Sequence, residues 1–232
     1  MSNFYIRPLE SYDVPSVTEW SRIEGFAPGL GDLNIYRHTD QQGLWVGCLD
    51  ERPIGCIAGV RYNHLYGFIG MFLVEEAQRG NGYGLKLWKQ AFNHLIDVPC
   101  IGLEAALDRI EDYSAWGFEP SSCTTRWQWI GGDVLPGIKK EFIEEFPSIK
   151  IYEGHTIQDH VVQAYDANKE ASPRPHFLSD WLNHPSGNVL VLLDSNGSCH
   201  GFGRIRPCLL QDGEGWRIGP LLADNPNLAE YL

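Results

Sequence analysis

The sequence lacks an excess of basic residues. Lys and Arg together number 18 against 30 Asp and Glu, which gives a formal net charge of −12. A chain with this charge repels a phosphate backbone, and no basic tract compensates for it. We therefore expect no nucleic acid among its partners. The acidity is compatible with a positively charged amine as ligand, or it serves only to keep the protein in solution.

The sequence also lacks paired metal ligands and long apolar runs. No apolar run approaches the length that spans a membrane, and residues 1–10 are typical of a polar strand, not of a signal peptide. The cysteines contain no C-x-x-C pair, so we expect reduced core thiols and no bound metal. They are Cys48, Cys56, Cys100, Cys123, Cys199 and Cys208. These absences predict a cytoplasmic protein without membrane contact.

The rest of the composition is that of a well-packed globular protein. Hydrophobic residues make up 43% of the chain and aromatic residues 12%. At 232 residues the chain is long enough for one large domain, or for one domain and a smaller second one. A monomer and a homodimer are both compatible with it.

The most informative segment is an apolar run at 68–74, followed by a glycine-rich turn at 79–84 and an amphipathic stretch at 85–92. In this order, backbone N–H groups of the turn and the positive end of the helix dipole point at one spot, which suits a pyrophosphate. The glycines remove the Cβ atoms that would keep a phosphate away, and Arg79 adds charge at the rim. The alternative is a tight turn without a ligand.

The glycine spacing excludes two common nucleotide sites. The dinucleotide motif G-x-G-x-x-G lacks its third glycine, because Lys86 and Leu87 follow Gly84. A nucleotide-hydrolysing loop of the form G-x-x-x-x-G-K-[ST] is also absent from the sequence. We therefore expect a different kind of pyrophosphate ligand.

A second motif lies downstream. Residues 100–106 predict a short buried strand, and 107–116 predict a helix that ends at Gly117. Residues 113–118 read Tyr-Ser-Ala-Trp-Gly-Phe. Taken alone, Tyr113 is typical of a core aromatic residue whose hydroxyl bonds to the backbone.

Together the two motifs resemble the GNAT superfamily of N-acetyltransferases. The first fits R-x-x-G-x-G through Arg79, Gly82 and Gly84, and the second fits Y-x-x-x-G-F. The resemblance covers about residues 3–132. It implies an α/β (α+β) fold with a mixed, mostly antiparallel sheet flanked by helices. Its central strands, 68–74 and 100–106, would splay apart.

The resemblance implies acetyl-CoA as cosubstrate. The turn would bind the pyrophosphate, and the backbone of the splayed strand would bind the pantetheine arm as a further strand would. The residues implied in acetyl-CoA binding are Phe72, Leu73, Val74, Arg79, Gly80, Asn81, Gly82, Tyr83 and Gly84.

The implied reaction is direct attack by the primary amine of a small molecule on the thioester. Tyr113 would protonate the departing thiolate. A weak acid is sufficient for this step, because thiols have a pKa of ~8.5. Family members often place a basic Glu on the central strand, but 68–74 contains none. Glu104 is the first candidate base. Glu75, Glu76 and His64 are weaker candidates, and a water relay is equally compatible.

The loop at 24–32 corresponds to a wall of the acceptor pocket in the family. Its carboxylates, Glu24 and Asp32, are candidates for binding an ammonium group. The competing interpretation makes them solvent-facing capping residues, with Asp32 capping a helix that begins at Leu33.

The remainder of the chain resembles a second, degenerate copy of the same half-fold, as in a tandem subgroup of the superfamily. We predict an acetyl-CoA-binding domain at 1–133, a connector at 134–147 and an incomplete GNAT-like domain at 148–232. The second copy has no glycine turn after its strand at 216–222, so we expect it to bind no CoA. The alternative function is an inactive acetyl-CoA-binding protein with a regulatory or scaffolding role.

Overall fold

The computed structural model describes residues 3–131, 146–170 and 172–232. The predicted connector at 134–147 lies outside these residues except for its last two. The first half contains strands β1 (Phe4–Pro8), β2 (Leu44–Leu49), β3 (Arg52–Arg61), β4 (Tyr66–Val74) and β5 (Cys100–Leu103), and helices α1 (Val14–Ile23), α2 (Asp32–Thr39), α3 (Tyr83–His94) and α4 (Ile110–Ser114).

The second half repeats the order of the first up to its fourth strand. It contains strands β6 (Lys150–Glu153), β7 (Asn188–Leu193), β8 (Cys199–Leu210) and β9 (Gly213–Ala223), and helices α5 (Asp159–Lys169), α6 (Pro175–Asn183) and α7 (Pro226–Ala229). In the part of the chain that the structure describes, no helix is both long and apolar enough to cross a membrane.

The first sheet has the order β1-β2-β3-β4-β5, and only the β4–β5 pair is parallel. Its strands are apolar on both faces because helices cover both. On one face Val17 of α1 and Leu33 of α2 pack against the strands, and on the other Leu87 and Trp88 of α3 do so. The mixed, mostly antiparallel sheet of the predicted fold is confirmed.

Strand β4 leaves its neighbour halfway along. It pairs with β5 only from Tyr66 to Ile69, and its last five residues continue with no described strand on that side. The change coincides with Met71, which has a φ of +50° and sits where the register with β3 shifts. Because β5 ends at Leu103, the predicted splay between the two central strands is present.

The sequence at 124–130 predicts a last strand for the first domain, and this prediction is wrong. Residues 124–130 have no regular secondary structure, and the side chain of Trp127 is 89% exposed. Their apolar and β-branched residues suit a strand, but a strand needs a hydrogen-bonded neighbour, and no described strand pairs with them.

The second sheet is antiparallel throughout, in the order β6-β7-β8-β9. Its core lies between the sheet and helices α5 and α6, where Val162, Leu178 and Phe202 are buried. After β9 the chain forms the four-residue helix α7.

The two halves meet along the loop that precedes α2. Gly29 forms a β-bridge with Cys208 of β8, flanked by backbone hydrogen bonds. Beside this bridge, the Asp32 carboxylate accepts two hydrogen bonds from the Arg206 guanidinium, each 2.9 Å long. Both side chains are less than a tenth exposed. The bidentate pair therefore joins the halves at a point where both charged groups are largely shielded from water.

We expect Arg206→Met to lower the free energy of unfolding by about 3–5 kcal/mol, because it leaves the Asp32 carboxylate buried without a counter-charge. Arg52→Met is the control, since Arg52 pairs with Glu75 at the surface, where an ion pair contributes at most ~1 kcal/mol. Urea unfolding measures both. Similar losses in the two variants would contradict the importance of the buried pair.

Candidate active site

The glycine-rich turn between β4 and α3 is shaped to receive a ligand at its backbone. Gly80 and Gly82 each have a φ of +79°, the left-handed region that favours glycine. A Cβ placed on either would meet nothing within 4 Å. Space therefore lies directly against the main chain at the N-terminus of α3, a helix of 12 residues. This geometry fits a diphosphate.

The other residues of the turn hold its shape. Gly84 lets α3 approach β4, because a Cβ there would lie 3.3 Å from the Phe72 ring. Asn81 donates a side-chain hydrogen bond to the Gln78 carbonyl over 3.1 Å. The Tyr83 ring stacks on the ring of the β1 phenylalanine, with 4.5 Å between the two centroids. These contacts fix the turn without filling it.

Arg79 connects the turn with the loop at 24–32. Its Nε donates to the Val74 carbonyl over 2.8 Å, and its terminal nitrogen pairs with the Glu24 carboxylate. The guanidinium is thereby held at the rim of the turn.

The free edge of β4 leads away from the turn. Leu73 and Val74 pair with Cys56 and Gly55 of β3, while no described strand lies on their other side. Phe72 packs against Trp88 of α3. An extended ligand bound at the turn can therefore continue along this edge.

Tyr113 lies on α4 beside the same edge. Its ring packs on Trp88 and Phe118, with centroids 5.3 and 6.4 Å away. Burial raises the pKa of Tyr113 above its ordinary value, so the hydroxyl is protonated at neutral pH. In the ranges described, the hydroxyl has no hydrogen-bond partner, and the residue lines the cleft. It can therefore donate a proton to a ligand.

Of the four candidate bases, Glu104 alone lines the cleft. It follows β5, is exposed, and forms no ion pair with any described residue. Glu75 is bonded to Arg52, with oxygen–nitrogen distances of 2.7 and 2.9 Å. Glu76 and His64 do not line the cleft.

The two carboxylates expected to bind an ammonium group already carry arginine partners. Glu24 pairs with Arg79, which neutralises its charge locally. Asp32 uses both oxygens on Arg206 and also accepts the Gly29 N–H over 3.0 Å. Asp32 is the first residue of α2 and thus stabilises the contact between the halves instead of presenting a free carboxylate.

The cleft has a volume of about 1500 Å³ and runs from the turn, along β4, into the space between the halves. Sequence reasoning assigned no site residue to the second half, yet several of its side chains line the cleft. They include Arg174, Phe177, Trp181, Arg206 and Arg217. The available signal was the pair of arginines in strand β8, which lie among residues that are otherwise apolar or glycine after His200.

The second half also fixes the conformation of the loop at 24–32. Arg217 of β9 donates to the carbonyls of Phe26 and Ala27, over 3.1 and 3.2 Å. Arg126, which belongs to the first half, donates to the Gly25 carbonyl over 2.8 Å. The loop, including Ala27 at a φ of +50°, is therefore held by guanidinium groups.

The second half has a carboxylate where the first has its turn. Asp224 directly follows β9 and accepts hydrogen bonds from Tyr165, Lys169 and His200 over 2.8–2.9 Å. Residues 224–230 contain no glycine, so this segment lacks the open backbone that the turn at 79–84 presents. Among the described residues, no group of three or more His, Cys, Asp or Glu side chains is arranged to hold a metal ion.

Comparison with known proteins gives a consistent assignment. Residues 8–118 match the model of the acetyltransferase (GNAT) family, and residues 162–232 match a second acetyltransferase (GNAT) domain model. The holothin acyltransferase of a Pseudoalteromonas strain is 27% identical over 224 residues, which are 97% of this chain and 70% of that protein.

Solved structures share the fold. A Pyrococcus horikoshii protein classed as an acetyltransferase superposes with a TM-score of 0.67 at 19% identity, over 98% of this chain and 73% of that one. A conserved Enterococcus faecalis protein of unknown function superposes with a TM-score of 0.56 at 14% identity, over 89% of this chain and 55% of that one. The chain is an acyltransferase that belongs to the GNAT superfamily, with two GNAT domains in tandem.

Proposed function

We propose that the protein transfers an acetyl group from acetyl-CoA to the primary amine of a small molecule. One observation carries the proposal: an open glycine turn, a free strand edge and a protonated tyrosine succeed one another along a single cleft. The relation to a holothin acyltransferase supports a small-molecule acceptor.

The residues of the first half bind and orient the cosubstrate, which supplies the thioester to be cleaved. The N–H groups of the turn at 79–84 and the Arg79 guanidinium hold the diphosphate, and the backbone at Phe72, Leu73 and Val74 holds the pantetheine arm. Holding both reactants in one cleft makes the attack effectively intramolecular.

Proton transfer falls to two side chains that line the cleft, Tyr113 and Glu104. The nitrogen of the acceptor bonds to the acetyl carbon as the carbon–sulfur bond breaks, and Tyr113 donates its proton to the sulfur. The surplus proton on nitrogen passes to Glu104 or to water, and solvent reprotonates Tyr113. The products are the acetamide and the free thiol.

A thiol-release assay with acetyl-CoA over a panel of amines tests the proposal. Turnover on at least one amine supports it. Binding of acetyl-CoA without thiol release on any amine would favour the alternative, an inactive acetyl-CoA-binding protein. The absence of a Glu from β4 is the observation that supports this alternative.

Tyr113→Phe should lower kcat on the order of 10²-fold and leave acetyl-CoA affinity nearly unchanged, because it removes a proton donor and keeps the ring. Tyr152→Phe removes a hydroxyl from β6, which does not line the cleft, and should leave kcat unchanged. Steady-state kinetics and calorimetry provide the two readouts. Equal losses of kcat and affinity would identify Tyr113 as a structural residue.

The raised pKa of Tyr113 also predicts a pH profile. Because burial shifts this pKa upward, the hydroxyl keeps its proton through the neutral and mildly alkaline range. At saturating substrates, kcat should not fall between pH 7 and 9. A fall with a midpoint below pH 9, absent in Tyr113→Phe, would contradict the assignment.

Gly82→Ala should raise the dissociation constant for acetyl-CoA at least about tenfold, which corresponds to ~1.4 kcal/mol. The new Cβ enters the space reserved for the diphosphate and strains a backbone at φ +79°. Gly197→Ala is a matched control, because Gly197 has a φ of +81° and open space in a turn of the second half. Both substitutions should lower the melting temperature by a similar amount, but only Gly82→Ala should weaken the binding of acetyl-CoA. Equal affinities in calorimetry would contradict the site.

A further inference from the structure

The part of the cleft that lies between the halves has an aromatic wall. Tyr36 of α2 and Tyr62 come from the first half, and Phe177 and Trp181 of α6 from the second. The rings of Tyr36 and Phe177 are parallel, with 1° between their planes and centroids 6.1 Å apart. Tyr62 meets Phe177 edge-on at 5.3 Å. We refer to these four residues as the aromatic wall.

Two members of the aromatic wall present hydroxyl groups without partners. Burial raises the pKa of Tyr36 to about 12 and that of Tyr62 still further. Both hydroxyls are therefore protonated, and neither has a hydrogen-bond partner among the residues described. Phe177 and Trp181 are buried behind them, so a flat ligand with heteroatoms can pack against the partly exposed tyrosine rings and accept these two hydrogen bonds.

The charges around the aromatic wall disfavour a cation. Arg206 and Arg217 line the same end of the cleft, and Arg206 lies 4.4 Å above the Trp181 ring. Burial, then the nearby Arg206 and Arg126, lower the pKa of Arg217. Asp32, the acidic group beside them, is already paired with Arg206. A protonated amine here would face guanidinium groups, and among the described carboxylates that line the cleft only Glu104 carries no ion pair.

The same arrangement accounts for the missing base on β4. An alkyl amine is protonated at neutral pH and must lose a proton before it attacks, whereas an aryl amine carries a free lone pair. With an aryl amine, only the proton released after attack has to be removed, and exposed Glu104 or water suffices. The absence of a Glu from β4 then costs the reaction little.

We propose that the acceptor is a planar aromatic or heteroaromatic amine that is uncharged at neutral pH, bound by the aromatic wall. The proposal rests on the proposed acetyl transfer and narrows its acceptor. It replaces the positively charged amine that the acidic composition suggested, because the net charge of the surface differs from the charge inside the cleft.

Three amines of similar size distinguish the effect of a flat ring from the effect of a charged amino group. p-Toluidine is flat and uncharged, benzylamine has a flat ring and a charged amine, and cyclohexylamine is neither flat nor uncharged. With acetyl-CoA we expect kcat/KM for p-toluidine to exceed that for cyclohexylamine by about 100-fold, with benzylamine between them. Equal or higher kcat/KM for cyclohexylamine would overturn the proposal while leaving acetyl transfer established.

A binding measurement keeps the test independent of turnover. Calorimetry of p-toluidine with the protein saturated by coenzyme A should show binding that weakens several-fold in Tyr62→Phe and in Phe177→Leu. Tyr12→Phe is the control, because Tyr12 is 68% exposed and lies outside the cleft. Binding of p-toluidine with no turnover on any amine would contradict acetyl transfer but support the aromatic wall. Absence of p-toluidine binding would overturn the wall as the acceptor site.

Discussion

The buried pair between Asp32 and Arg206 is the interaction on which the cleft depends. It lies at the start of α2 and in the middle of β8, so it fixes the loop at 24–32 against the second half. Charged side chains are seldom buried without such a partner, because desolvation disfavours them strongly. Once the pair forms, the loop at 24–32 is held at a fixed position against β8.

This constraint gives the second half a function that does not require CoA. Arg217 of its strand β9 holds the carbonyls of Phe26 and Ala27, and its helix α6 supplies half of the aromatic wall. Where the first half has its glycine turn, the second has Asp224 bonded to Lys169 and His200. We infer that the second domain shapes the acceptor pocket and that the first performs the chemistry.

Features set by neighbouring residues could be predicted from the sequence. The spacing of Gly80, Gly82 and Gly84 after an apolar strand predicted a strand, an open turn and a helix, and the structure has all three in this order. Positive φ values and helix starts depend on a few adjacent residues, which explains this success. The strand predicted at 124–130 does not form, because the pairing of strands depends on residues that are distant in the sequence.

Contacts between the halves could not be predicted. Asp32 and Arg206 are 174 residues apart, and nothing local to Asp32 distinguishes an interdomain ion pair from a helix cap or a ligand for an amine. Phe177 and Trp181 have the spacing of an ordinary core helix face, and their place on the cleft follows from how two sheets meet. The charge of the cleft likewise differs from the charge of the whole chain.

A crystal structure with coenzyme A bound would show whether the turn at 79–84 and the free edge of β4 form the cosubstrate site. We expect one molecule per chain, its diphosphate on the N–H groups of the turn at 79–84 and its sulfur within reach of the Tyr113 hydroxyl, facing the second half. A diphosphate bound beside Asp224, or a thiol directed away from the space between the halves, would contradict this expectation.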